Sequence, residues 1–489
     1  MAVARFPTDP STSVGRFWVA GTDRSDGSDG VCRVEGKVIE IEVARPLTNW
    51  METVSRGVIA MTTRPAQEVD NLVIQGSLPV QPARVTFVGA KTAGRRRVDA
   101  PGAGDTEAHR LRAEWCIAGA HIDSADHRFN GFRIRLNHLE LWALTEGVVL
   151  EHQYEPSTKV TITYETATAL ETPFLAFGET EATMKLLTSA NWNGLSAWGG
   201  GITTHNILEV SGITGWTLEE ALSRFVTPVQ TLLTLLAGSE SHVTGLEVLI
   251  DGSWRPVFGH FVSPDEPRPK SHDMLLTRAD LSLDLMVRWC EQTERLSPTP
   301  QVVAAVLSGS LPTVDSEALA LTTTSEGMDR ALYPDSRRFT QSEVDESIAG
   351  LEVSAVPQKV RNEMIVALRK YFAEDTYPMR MHRLALRVAE AVPACVGKAN
   401  RWKNAIRDLR VQLAHSLERE GPMTSKDLLD MAALVRSLRW TLQLRLLQEV
   451  GVPDAALANA VANWRSFGHD ERFWRSQCPS IFRQPAETP

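Results

Sequence analysis

The chain has 489 residues, enough for two to four domains, and a formal net charge of −9 at pH 7. With 43% hydrophobic and 23% charged residues it reads as an ordinary globular protein. No run of eighteen or more apolar residues is present, and the opening "MAVARFPTDPSTSVGRFW" has no apolar core of signal-peptide length, so no membrane span is expected and the cytoplasm is the expected address.

The first half reads as strands. In "KVIEIEVAR", Ile39, Ile41 and Val43 share one face and Glu40 and Glu42 the other. "RVTFVG" follows the pattern weakly. "FRIRLNHLELW" alternates Phe132, Ile134 and Leu136 with Arg133 and Arg135, and "KVTITYET" groups Val160, Ile162 and Tyr164. Period-two alternation marks half-buried antiparallel strands. In "LEVLIDGSWRPVFGHFV", Asp251-Gly252 supplies a hairpin turn with positive φ. One helix interrupts, "TLEEALSRFVTPVQTLLTLLAG", with Thr217 and Glu220 as a capping box, Glu219 and Glu220 favouring the helix dipole, and Gly238 as a stop.

The texture changes at the Pro-rich, charged stretch "SPDEPRPKSHD". Beyond it nearly everything reads as helix: "RADLSLDLMVRWCEQTERL", "SEALALTTTSEGMDRAL", "VPQKVRNEMIVALRKYF", "MRMHRLALRVAEAV", "AIRDLRVQLAHSLERE" and "SKDLLDMAALVRSLRWTLQLRLLQEVG". The last has Ser425 as expected cap, Leu434, Leu438, Leu442 and Leu446 at four-residue steps, and Gly451 as stop. The fold class is therefore α+β, an N-terminal antiparallel β-rich domain followed by an all-α bundle. The expected boundaries are 1–14 disordered, 15–265 β-rich, 266–310 linker and connecting helix, 311–484 helical and 485–489 a tail.

Charge is unevenly spread. Lys359 to Glu449 holds 17 Lys and Arg against 10 Asp and Glu, a net of +7 that leaves −16 for the rest. A basic module on an acidic body points to an anionic partner, or else to an Arg-rich solvated surface. The five cysteines (Cys32, Cys116, Cys290, Cys395, Cys478) lie far apart without a C-x-x-C pair, which argues against zinc and a disulfide framework and for small buried hydrophobes. "SAWGGGITTH" lacks the spacing of a phosphate cradle and is expected to be a flexible loop. "GAHIDSADHRF" offers His121, Asp123, Asp126 and His127, either a metal site or, as the better reading, a polar loop between strands. Neither a zinc-protease H-E-x-x-H nor a G-x-S-x-G elbow occurs.

The helix "AIRDLRVQLAHSLERE" carries Arg410 and His415 five residues apart, whereas neighbours on one helical face sit three or four apart. On a wheel of 100° per residue, Trp402, Ile406, Leu409 and Leu413 fall within roughly 60°, a buried stripe with Arg410 at its border. His415 lies roughly 140° further round, with Asn404, Asp408 and Val411. The pair makes sense if the helix loosens before Gly421-Pro422, or if a second copy brings two sets into one cleft. By spacing alone, a salt-bridged arginine and a surface histidine serve as well.

These stretches carry a resemblance. The C-terminal half resembles the HEPN superfamily, defined by R-x(4–6)-H late in a helical bundle, and in detail its ApeA-type anti-phage branch. The stretches are "WKNAIRDLRVQLAHS", "LVRSLRWTLQLRLLQEVGV" and "LALTTTSEGMDRAL". The first half is similar to the ApeA N-terminal domain in "GRFWVAG", in Cys116–Val148 and in "VQTLLTLLAGSESHVTGLEVLI". Val411 stands where the family usually has a polar residue, often Asn, and Ser416 where Gly often follows the motif. The resemblance implies a metal-independent endoribonuclease without cofactor, acting in abortive infection. Its target would be RNA, by preference tRNA. His415 would be the general acid/base, Arg410 the phosphate stabiliser and Glu326 a supporting residue, with Lys403 and Arg407 tracking the RNA backbone. It further implies at least a homodimer through the helical domain, and a β domain that senses a phage-derived trigger. The rival reading is a non-catalytic RNA-binding or dimerisation module. A carbohydrate-binding role for Trp50, Trp115, Trp142, Trp192 and Trp198 is weaker, since such aromatics are more often core.

Overall fold

The computed structural model describes residues 13–35, 38–47, 51–55, 61–65, 71–100, 104–144, 148–153, 159–164, 168–176, 180–196, 199–263, 274–414 and 424–482. The chain divides into two compact units, residues 1–230 with 241–272, and residues 231–240 with 273–489.

The first unit is antiparallel β. Its strands are β1 (Ser13–Val19), β2 (Ser28–Glu35), β3 (Val38–Val43), β4 (Met51–Ser55), β5 (Met61–Pro65), β6 (Leu72–Ser77), β7 (Arg84–Ala100), β8 (Gly104–Arg112) and β9 (Trp115–Ala118). They continue as β10 (Phe129–Leu136), β11 (Val148–Gln153), β12 (Lys159–Tyr164), β13 (Leu170–Ala176), β14 (Thr180–Ser196), β15 (Gly199–Trp216), β16 (Val243–Ile250) and β17 (Ser253–Gly259). Thirteen of the described strands join in the order β13-β14-β15-β10-β16-β17-β9-β7-β6-β1-β2-β3-β8, and β8 pairs back onto β7. That last pairing closes six strands into a barrel and leaves the rest as a sheet growing from β9. β7 serves both parts because it is long. Residues Val85 to Val88 pair with β9, and Lys91 to Ala100 pair with β8. Gly89, at φ +69°, makes the bend between these stretches, a conformation that costs a side-chain-bearing residue strain. Phe17, Ile39, Ile41, Val43, Ile74, Val85, Phe87 and Leu111 fill the barrel.

The alternation holds in β10, whereas Val85, Thr86, Phe87 and Val88 of the weakly alternating "RVTFVG" are all buried. Phe132, Ile134 and Leu136 are buried, and Arg133 reaches across to Glu209 on β15 at 2.7 Å while its guanidinium lies 4.0 Å from the Trp254 ring. Glu40 departs from the expected solvent face. It is buried beneath Arg110 and Arg112 of β8, and hydrogen bonding to these two holds its carboxyl below the usual range. The Asp251-Gly252 turn forms with φ of 49° and 71°. The glycine-rich "SAWGGGITTH" corrects the loop expectation. Gly199 to His205 belong to β15 and pair with β14, Asn193 opposite Gly201 and Ser189 opposite His205, because a long partner strand satisfies a backbone whose local composition is loop-like. Trp115 and Trp142 are buried, which removes them from any sugar-binding face. Trp50 and Trp198 lie outside the described residues.

The described helices of this unit begin with α1 (Leu139–Ala143) and α2 (Leu218–Ala221), whose capping box is made by Thr217 and Glu220 as expected. A π-turn, Leu222–Val226, leads from α2 into α3 (Thr227–Ala237), whose residues from Thr231 on fall in the second unit.

The second unit is helical: α4 (Leu283–Arg295), α5 (Thr299–Leu307), α6 (Val314–Leu332), α7 (Gln341–Glu352), α8 (Gln358–Ala367), α9 (Tyr377–Ala391), α10 (Ala399–Ala414), α11 (Ser425–Val450), α12 (Asp454–Asn463), α13 (Arg465–Gln477) and α14 (Pro479–Phe482). α11 is the axis, packed by α4, α5, α6, α9, α10 and α13. From Ser437 onward nearly every residue is buried, so the leucine steps are one part of an all-round apolar surface. Its cap is Thr424, one residue before the expected Ser425. The Thr424 side chain accepts from the Asp427 backbone N–H, and Asp427 returns the bond. Gly451 stops it at φ 102° as expected. "VPQKVRNEMIVALRKYF" is not one uniform helix, for α8 passes into a π-turn over Leu368–Phe372. No helix among the described residues is long and apolar enough to cross a membrane.

Candidate functional site

α10 is placed by its apolar stripe. Trp402 and Ile406 are fully buried and Leu409 nearly so. The Trp402 indole N–H donates to Ser437 Oγ on α11 at 2.8 Å, and that hydroxyl donates to the Cys395 carbonyl at 2.6 Å. This fixes the rotation of α10, leaves Asn404, Asp408 and Val411 exposed, and sets Arg410 at the border with 35% of its side chain accessible.

Arg410 meets Glu326 of α6, Nη1 to Oε2 at 2.5 Å, and its guanidinium lies 4.4 Å from the centre of the Tyr377 ring on α9. Two of the candidate residues, read from stretches 84 positions apart, thus come together. Glu326 is 20% accessible and also takes Arg330 at 3.2 Å. Arg330 reaches Glu374 at 2.8 Å, Glu374 faces Arg380 at 3.6 Å, and Arg380 faces Asp329 at 3.5 Å. Arg383 chelates Asp329 through Nε at 3.0 Å and Nη2 at 2.6 Å, and touches Asp375 at 2.9 Å. Four arginines and four carboxylates therefore form one chain of charge across α6 and α9, ending at the accessible Arg410.

Tyr377 anchors the cation end. Burial first, opposed by the Ser325 hydroxyl and by Arg410, pushes its phenol up to about 12, so it stays protonated at neutral pH and donates to the Thr322 carbonyl at 3.2 Å. Asp375 shows the opposite balance. Burial works against its charge, but the Ser336 hydroxyl and Arg383 outweigh that and hold the carboxyl below its usual range.

The other candidates fall as follows. Arg407 is exposed and held by its neighbour Asp408, with Nη2 at 2.6 Å from Oδ1. Such a surface pair is worth little and opens easily. Lys403 is half-buried, and beside it His382 of α9 is kept below the usual imidazole range by burial and then by the lysine charge. His415 lies outside the described residues. The loop between β9 and β10 serves the fold: His121 Nε2 bonds the Gly76 carbonyl at 2.9 Å, and Asp123 accepts from Gln75 at 2.7 Å. No group of His, Cys, Asp and Glu among the described residues could hold a metal ion.

Sequence reasoning missed Tyr377, Arg330, Glu374, Arg380, Arg383, Asp329 and Asp375. Part of the signal was available, since Glu326, Asp329 and Arg330 recur at three and four residues on α6, and Arg380 and Arg383 at three on α9.

The molecule is thus an antiparallel β unit followed by a helical bundle that carries a half-exposed arginine–glutamate pair. Residues 70–289 match the family model described as ApeA N-terminal domain 1, a stretch from β6 to the middle of α4. No curated protein and no solved structure matches the chain.

Proposed function

We propose that the protein is an ApeA-like anti-phage defence effector whose helical unit cleaves RNA without a metal ion. The Arg410–Glu326 pair carries this reading. It presents an always-charged guanidinium, oriented by a carboxylate and a tyrosine ring, at the border of the α10 apolar stripe, and in the sequence His415 follows five residues on.

The chemistry uses the substrate's own nucleophile. The RNA 2′-OH attacks the adjacent phosphorus, its proton passes to a base, and the P–O5′ bond breaks as the leaving oxygen takes a proton. The products are a 2′,3′-cyclic phosphate and a 5′-hydroxyl end. His415 fits the proton-transfer role because an imidazole titrates near neutrality. Arg410 fits the phosphorane-like transition state, whose developing negative charge its planar donors match. Glu326 positions Arg410 until phosphate competes for it, and Lys403 and Arg407 hold the flanking backbone. A homodimer through the exposed α10 face would bring two Arg/His sets into one cleft. tRNA is the preferred substrate and the β unit the sensor, both on the strength of the ApeA likeness alone.

A second reading is favoured by the neutrality of the charge chain. An arginine paired to a carboxylate within a balanced charge chain also suits a non-catalytic RNA-binding or dimerisation bundle. Arg410→Ala and His415→Ala, assayed in EDTA with circular dichroism as the folding control, decide between them. Cleavage by wild type and its loss in both variants is expected. Undiminished cleavage by both variants overturns the assignment, and wild type that binds RNA without cutting it establishes the second reading.

A further inference from the structure

The stretch after α8 has an arrangement that packing does not require. Arg369, Lys370, Tyr371 and Phe372 are four consecutive exposed residues in the π-turn, with Tyr371 at 69% and Phe372 at 47% accessibility. Four successive helical residues sweep about 300°, so a packed helix hides at least one of them. This one hides none, and π-turns of this kind gather at functional positions. The Phe372 ring stacks parallel on Phe339, with centroids 5.3 Å apart and planes at 6°, and the Arg338 guanidinium lies 4.8 Å and 5.4 Å from the two ring centres. Arg338, Arg369 and Lys370 carry no ion pair among the described residues.

The strip is also fixed in place and joined to the candidate site. The Arg338 N–H donates to the Ala373 carbonyl at 2.7 Å, the backbones of Arg337 and Glu374 form an isolated antiparallel β-bridge, and the Glu374 N–H donates to the Tyr371 carbonyl at 3.2 Å. Glu374 binds Arg330, which binds Glu326, the partner of Arg410.

We propose that Tyr371 and the Arg338/Phe339/Phe372 stack form a platform for unpaired nucleobases of a single-stranded RNA segment, with Arg369 and Lys370 on its phosphates. Flat exposed rings offer a π-face to any base, and unpaired cations beside them suit the backbone, the combination that binds single strands without sequence preference. A duplex keeps its bases stacked on one another and has none to give. The proposal rests on the RNA reading for the identity of the ligand and requires no cleavage.

The test uses the full-length protein and a fully 2′-O-methylated hexanucleotide with a central 2-aminopurine, which lacks the nucleophile and cannot be cut by the proposed route. Binding with quenched fluorescence is expected for the single strand, and weaker binding without quenching for its duplex. Tyr371→Ala is expected to weaken single-strand binding by roughly 5- to 100-fold, the usual worth of one stacked base, and Tyr371→Phe to retain it. Unchanged affinity in Tyr371→Ala overturns the platform. So does a wild-type oligomer that dissociates in Tyr371→Ala during sedimentation with RNA binding unaltered, since the strip is then a contact between copies. Loss of the platform alongside persistent Arg410-dependent cleavage leaves the nuclease reading intact. Single-strand binding without any cleavage of natural RNA removes that reading and keeps the platform.

Discussion

Asp375 shows what the charge chain contributes at the level of one side chain. Its carboxyl is buried, and burial alone would raise its affinity for a proton, yet Ser336 and Arg383 hold it below the ordinary carboxylate value. A group with a depressed folded pKa stabilises the fold above its unfolded value of about 3.9, and that contribution is lost as pH falls through the folded pKa. Asp375→Asn keeps the shape and removes the charge. It is expected to cost about 1.5–3 kcal/mol at pH 7, the worth of a hydrogen bond to a charged group. Urea melts of both proteins from pH 7 down to pH 2 check it. The gap should close below about pH 4, and a gap independent of pH would show that Asp375 is not a paired carboxylate. Arg383 keeps Asp329 in the variant, so global unfolding is not expected.

At the scale of elements, the reading of the sequence succeeded where the information is local and stopped where it is not. The capping box of α2, the Asp251-Gly252 turn and the Gly451 stop depend on residues within four positions, and each stands as expected. The cap of α11 was placed one residue late because Thr424 and Ser425 are both good caps, and only Asp427, three residues after Thr424, separates them. That difference is measurable. Thr424→Ala should destabilise the protein by about 1 kcal/mol, whereas Ser425→Ala, inside the first turn, should stay within about 0.5 kcal/mol. Equal effects in chemical denaturation would restore Ser425 as the cap. The candidate site was half legible for the same reason. A helix wheel placed Arg410 at the edge of the α10 stripe, but Tyr377 and the α6–α9 ladder depend on how three helices stack, which no single period records. The β14–β15 pairing escaped too, since the strand nature of Gly199 to His205 is supplied by a partner strand.

For the whole molecule, the least legible property is which segments share a core. Composition changes abruptly after β17, yet Thr231–Glu240 belongs with the helical unit. Within that unit, the Gln443 side chain donates to the Leu235 carbonyl at 2.7 Å and the Leu275 N–H to the Leu236 carbonyl at 2.8 Å. Leu232, Leu233, Leu235 and Leu236 are fully buried. A fragment of residues 274–489 therefore lacks part of its own core. It leaves Gln443, buried inside α11, without its acceptor, and gives up burial worth about 1.5–3 kcal/mol per leucine at most. Such a fragment should melt well below the helical transition of the full chain or precipitate. A synthetic peptide of residues 227–240 should raise its melting temperature in proportion to the logarithm of peptide concentration, because the peptide binds the folded fragment and not the unfolded one. The peptide is a marginal helix alone, so its own circular dichroism should gain helicity only in the mixture. A fragment that melts cooperatively at the same temperature with and without the peptide would show that α11 closes its core without this segment, and would move the boundary of the helical unit to residue 273.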